Sequence, residues 1–325
     1  MSETRRDFVK AAAGMSAAAA AAVAQEYGEI PKRRLGKTDL YPTILGLGGA
    51  RVGNVVDEKQ AIATMHRMRD LGVNYFDSAA AGAYGISQQR YGRAFGKDNK
   101  DIIYATKTRH RTWAHSELDL NQSLSNFKRD YIDLYMVHNV MHQEDIEFIF
   151  GKKGLMEMIE RAKRDGKIRY VAFTGHMDPR VLRKMVDLYD WDAMLMPLSV
   201  TDGARKDFSF EHTTLPAVLK KEMGVIAMKV TGVNSILNES GGSIEECLNY
   251  VWSLPISTAI LGCSTPEEAE IDAKLAASFE KNKLSKSKME GIRKKWAKAD
   301  FDKLETWKVD QTTKTLAADL RYLGC

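Results

Sequence analysis

Four residues able to hold or move a proton mark the ends of apolar runs or the loops just beyond them. Asp77 closes "VNYFD", Lys107 closes "IIYATK" and His138 closes "IDLYMVH". Tyr84 follows Asp77 by seven positions, beside Gly85. A carboxylate, an ammonium, an imidazole and a phenol together make a proton-donor set for a polar substrate. A free phenol titrates near ~10, too high for easy exchange at neutral pH. An ammonium about 4 Å away, at an effective dielectric of about 20, favours the phenolate by roughly 4 kcal/mol. Lys107 is therefore expected to bring Tyr84 down into working range, with Asp77 keeping the ammonium charged and fixed. His138 is expected to donate to a carbonyl oxygen and orient it. Each residue also has a plainer reading: Asp77 a turn cap, Tyr84 a loop tyrosine, Lys107 a rim ion pair, His138 a satisfied core imidazole.

The elements that must position these groups are eight short apolar runs, at 44–48, 73–77, 102–107, 132–138, 168–174, 193–197, 225–230 and 258–262. Apolar on both faces, they read as buried parallel strands. Amphipathic helices separate them. One is capped by Asp57 and stops at Gly72, one begins at Ser116, and one ends at Gly166; two more open with Pro179 and with Thr265-Pro266. Strand starts recur roughly every 25–36 residues, the length of one βα unit. The pattern predicts an α/β fold, a (β/α)8 TIM barrel with a C-terminal helical extension. In such barrels chemistry sits at the carboxyl ends of the strands, where Asp77, Lys107 and His138 fall. No GxGxxG opens a helix after the first strand, and "GLGGARVG" is expected to be a close-packed loop. Met289, Ile292, Trp296, Ala299 and Leu304 form an apolar stripe expected to pack on the barrel wall.

The chain has 325 residues, 44% of them hydrophobic and 28% charged, as in an ordinary globular protein. A net charge of +5 is small for this length, and the Lys-rich stretch from Lys286 to Lys308 reads as a solvated helix face, so no nucleic-acid partner is expected. Cys247, Cys263 and Cys325 lack metal-ligand spacing, so no metal is expected. At the amino terminus, "TRRDFVK" precedes an Ala-rich segment and a small-x-small ending, Ala22-Val23-Ala24. These are the marks of a twin-arginine export signal, too short and Ala-rich to be a stable membrane anchor. The expected organisation is therefore a signal at 1–24, a barrel at 25–285 and a helical extension at 286–325. The expected location is periplasmic or secreted, by way of the twin-arginine export machinery.

"RRLGKTDLYPTILGLGG", "VNYFDSAAAGAYG", "YATK", "DYIDLYMVHN", "GKIRYVAFTG" and "ILGCSTPEEAE" occur in the order found in the aldo-keto reductase superfamily, which this chain resembles over most of its length. The resemblance implies that Asp77, Tyr84, Lys107 and His138 form a catalytic tetrad with the phenol as general acid. It also implies hydride transfer between NADPH and a small-molecule aldehyde, ketone or sugar carbonyl. Where the family has Ser-Asn facing the nicotinamide, this chain has Thr174-Gly175 followed by His176; where it has Gln after strand six, Leu195 stands. Past strand eight, where an Arg or Lys usually meets the 2′-phosphate, the chain offers Gly262, Ser264, Thr265, Glu268 and Asp272. The helix at Pro266 offers N–H groups to a phosphate, and Glu268 a carboxylate to a ribose hydroxyl. With Lys229 as the remaining cation for a pyrophosphate, the cofactor is expected to be NAD or NADP, NADH binding at least as tightly as NADPH. A second reading is a barrel that keeps the pocket without turnover, serving as a binding or accessory protein.

Overall fold

A computed structural model describes residues 28–239 and 241–308; the proposed signal and the last seventeen residues of the expected extension, Cys325 among them, lie outside these. Eight parallel strands close into a barrel in sequence order: β1 (Leu45–Gly48), β2 (Tyr75–Asp77), β3 (Ile103–Thr108), β4 (Ile132–Val137), β5 (Ile168–Thr174), β6 (Ala193–Pro197), β7 (Gly224–Met228) and β8 (Thr258–Leu261). β8 pairs back onto β1 through Leu45 and Ala259, which seals the sheet and leaves no edge.

Alternation sorts the side chains. Tyr75, Ala105, Leu134, Met136, Ala172, Leu195, Ile226 and Ile260 fill the barrel interior, while their neighbours face the surrounding helices. Leu195 therefore lies in mid-strand inside the barrel, not after strand six at a cofactor contact. The amino-terminal hairpin plugs the lower end. Its strands meet at Lys32 and Thr43, and Leu35 and Leu40 join the interior cluster. The hairpin turn at Gly36 has φ of 55° and sits so close to the Gly224 backbone that a Cβ would lie 2.2 Å from its nitrogen. Only glycine fits there.

Helix signals in the sequence act as local chemistry requires. The Asp57 side chain accepts from the Gln60 N–H at 3.0 Å, starting the Glu58–Asp70 helix, and Gly72 ends it with φ of 88°. Pro179 and Pro266 each open a helix behind a side-chain cap from Asp178 or Thr265. Two expectations need correction. The helix expected at Ser116 begins at Trp113, because Thr112 is the extended residue before it and the Ser116 hydroxyl turns back to the His110 carbonyl. The glycine-rich stretch after β1 is not a loop but a six-residue helix, Gly49–Asn54. Gly53 lets that helix press against Tyr84, whose carbonyl would lie 2.0 Å from any Cβ placed there.

Met289, Trp296 and Leu304 are buried in the main core, with Ile292 and Ala299 packed against it. The Lys286–Trp296 helix is fastened by Arg293 to Glu211 at 2.6 Å and by Trp296 Nε1 to Glu246 at 2.9 Å. Most lysines of the stretch are exposed as expected, but Lys308 is not. It is buried between Asp202 and Glu305, at 2.5 and 3.1 Å, and anchors this segment beside the β6 end of the mouth.

Candidate active site

Continuing the inward alternation by one step places Asp77 two residues beyond Tyr75, Lys107 beyond Ala105, His138 beyond Met136 and Thr174 beyond Ala172. All four are buried at the carboxyl ends of β2, β3, β4 and β5. The Lys107 ammonium donates to both Asp77 oxygens, at 2.7 and 2.6 Å, and to the Ser78 carbonyl at 2.7 Å. All three donors are used, so the pair is held charged although burial pushes Asp77 up and Lys107 down. Tyr84 ends a short helix, Ala81–Tyr84, rather than lying in an open loop. Its ring sits 4.6 Å from the Lys107 ammonium and its hydroxyl is hydrogen-bonded to Asp77.

The expected direction of the Tyr84 titration is overturned. Burial raises the phenol well above its ordinary range, and the Asp77 carboxylate adds to the rise. The ammonium approaches the ring face rather than the oxygen, and its charge is already matched by Asp77, so its pull on the phenolate is cancelled. Tyr84 is thus a fully protonated donor. Burial also pushes His138 well below the usual imidazole range, with Lys107, His176, Arg109 and Arg111 adding to the fall, so its ring is neutral at physiological pH. Arg111 donates to the His138 carbonyl at 2.6 Å and pins this strand end.

A cleft of about 460 Å³ runs from Tyr84 and His176 along the loop after β7 to Gly262, Glu268 and Asp272 after β8. That is the size and shape of a site for an extended ligand. Around its inner end, where His176 lines the cleft, three buried polar atoms have no hydrogen-bond partner among the described residues: Thr174 Oγ1, His138 Nδ1 and His176 Nδ1. The His138 and His176 rings are 5.8 Å apart. These atoms fit a group carrying both a donor and an acceptor, such as a carboxamide. Gly175 packs against the Val140 carbonyl and offers only backbone. Lys229 follows β7 and lines the cleft.

At the outer end the sequence-derived picture changes. Ser264 is buried, and its N–H donates to Glu268 Oε2 at 2.6 Å. Glu268 therefore caps the chain here instead of standing free for a ribose, and the Thr265 hydroxyl takes the Glu268 N–H at 3.2 Å. Asp272 accepts from Cys263 Sγ at 3.2 Å, and burial pushes its carboxyl up to about 6. A cation not read from the sequence, Arg51, stands at this end of the cleft. Its side chain lies over Gly262 and lines the cleft, and its Nε donates to the Ser264 hydroxyl at 2.6 Å. Arg51 stands near the far end of the sequence from Ser264 and carried no local signal. His176 and Arg109 do carry one: each lies two residues beyond an inward-facing residue, Thr174 or Lys107.

Comparison with known proteins agrees with this geometry. The sequence profile of the Aldo/keto reductase family matches residues 44–241. The chain is 27% identical over 208 residues to the uncharacterized oxidoreductase YqkF of Bacillus subtilis, covering 60% of this chain and 63% of that protein. It is 28% identical over 225 residues to the aldo-keto reductase yakc of Schizosaccharomyces pombe, designated NADP(+), covering 64% and 59%. The match thus spans less than two thirds of each relative. Among solved structures, the holo form of an aldo-keto reductase from Bacillus halodurans superposes with a TM-score of 0.68 at 22% identity, covering 83% of this chain and 97% of that one. The structural likeness agrees in fold, and the family profile, matching more than half of the sequence, places this chain in the aldo/keto reductase family.

Proposed function

We propose that the cleft binds a nicotinamide dinucleotide and that the chain reduces, or forms by oxidation, an aldehyde, ketone or sugar carbonyl. The observation that carries this reading is Tyr84, held protonated against Asp77 with the Lys107 ammonium beneath its ring. The cofactor, when bound, supplies or accepts the hydride. The protein's part is proton management. Tyr84 gives its proton to the carbonyl oxygen, and the Lys107–Asp77 pair holds the phenol in position for that transfer. Asp77 and the Ser78 carbonyl keep that ammonium in place. Neutral His138 orients the carbonyl oxygen, and Thr174 and His176 hold the carboxamide through their unpartnered atoms. Arg51 meets phosphate at the outer end, which favours NADPH over NADH.

Steady-state reduction of a panel of small aldehydes and aldoses tests this. Tyr84→Phe is expected to lower the rate by about 10²–10⁴-fold, with NADPH binding, followed by fluorescence, retained. Retention of most of the wild-type rate would return Asp77 and Tyr84 to turn and packing roles. A wild-type protein that binds NADPH but turns over none of the panel supports the binding or accessory reading instead. We further propose that the amino-terminal segment directs twin-arginine export to the periplasm or beyond, a reading supported by its paired arginines and its small-x-small ending.

A further inference from the structure

The imidazole that must meet the carbonyl oxygen stands on a turn, and that turn is tied down from both ends. His138 follows β4, and residues 138–142 lead into the helix Gln143–Phe150. Arg111, buried in the loop after β3, reaches across to this turn. Its Nη1 donates to the His138 carbonyl at 2.6 Å and to the Arg109 carbonyl at 3.1 Å, and its Nη2 to the Asn139 carbonyl at 3.2 Å. Its Nε donates to Asp145 Oδ1 at 3.0 Å. The other Asp145 oxygen accepts from the N–H groups of Met141 and His142, at 2.8 and 3.1 Å. One ion pair thus takes up the first two carbonyls of the turn and its last two amides.

Two backbone bonds complete the frame. The His138 N–H donates to the Thr108 carbonyl and the Val140 N–H to the Thr174 carbonyl, both at 2.9 Å. The turn is therefore registered against the strand ends that carry Lys107 and Thr174. Among the described residues no hydrogen bond holds the His138 ring at Nδ1, so its backbone and the packing around it aim the ring. A lysine in place of Arg111 would not serve equally, because only a guanidinium presents a planar fork to several carbonyls and a carboxylate together.

We propose that Arg111 and Asp145 are positioning residues for hydride transfer: as a pair they set where the His138 ring stands relative to the substrate's carbonyl oxygen. The inference rests on the role proposed for His138, and neither residue is asked to touch substrate. A ring displaced by about 1 Å is enough to cost on the order of 10²-fold in rate.

Two measurements test this, one of them without turnover. With isotope-labelled histidine, nitrogen NMR of the His138 ring, assigned by its loss in His138→Ala, is expected to show one set of signals. Arg111→Met is expected to split or broaden that set. In benzaldehyde reduction Arg111→Met is expected to lower kcat/KM by about 10–100-fold, with NADPH affinity within about twofold. Introduced into His138→Ala, the same change should cost less than about twofold, since the pair then has nothing to place. Asp145→Asn keeps an acceptor for the two amides but loses the pair with Arg111. It should act in the same direction, and it carries the test if Arg111→Met does not fold. Unchanged His138 signals in both variants overturn the proposal. So does an equal loss of rate with and without His138, which is what a merely structural pair would give. Failure of the wild type to reduce any aldehyde would count against hydride transfer, and the ring signals would still decide the placement of His138.

Discussion

Arg51 and Ser264 are 213 positions apart in the chain, yet the Arg51 Nε donates to the Ser264 hydroxyl at 2.6 Å. The contact brings a guanidinium from the first βα connection to the last, across the seam where β1 closes on β8. It sets the charge at the outer end of the cleft, where Glu268 is already occupied as a cap.

Arg51→Met is accordingly expected to weaken NADPH at least tenfold, about 1.4 kcal/mol, and NADH much less. Fluorescence titration with both dinucleotides checks it. Equal losses for the two would assign Arg51 to the pyrophosphate they share. A wild-type protein binding NADH as tightly as NADPH would restore the expectation drawn from Glu268.

Asp272 makes stability depend on pH in an unusual direction. Its folded-state value of about 6 lies above the ordinary carboxylate value near ~3.9, so the native state holds this proton more tightly than the unfolded chain does. The contribution to stability is present below pH ~4 and is lost as pH rises through ~6. Asp272→Asn, which still accepts from Cys263, is expected to stabilise the protein by about 2–3 kcal/mol near pH 8 and to change little near pH 4. Urea unfolding at the two pH values measures it. A loss of stability at both would show that the carboxylate itself is needed.

Replacing both Arg5 and Arg6 with lysine is expected to hold the protein in the cytoplasm, because the twin arginines are the part of the signal that the export receptor reads. Cell fractionation with an immunoblot decides the matter. A double variant that still reaches the periplasm excludes this route.

Much of the barrel and its inner site is visible in the primary structure because both follow a period of two. All eight strands fall within two residues of their apolar runs, and Asp77, Lys107 and His138 share the inward phase of Tyr75, Ala105 and Met136. Strand-end chemistry is thus local information. What depends on contacts between distant segments was not legible. Arg51 meets Ser264 only because the barrel closes, and Lys308 looks like one more surface lysine until Asp202 and Glu305 enclose it. The Tyr84 titration failed for a related reason: the sign depends on whether the ammonium reaches the oxygen or the ring, and spacing along the chain cannot tell these apart.

The hairpin seated on Gly224 also determines how this molecule can be handled. Gly28, the first described residue, lies near the Ala277 carbonyl at the end of the helix after β8, on the plugged side of the barrel. Lys308, the last, is fixed at the open side. A reporter fixed at the exposed Tyr41 of that hairpin is therefore carried at the end of the barrel opposite the cleft.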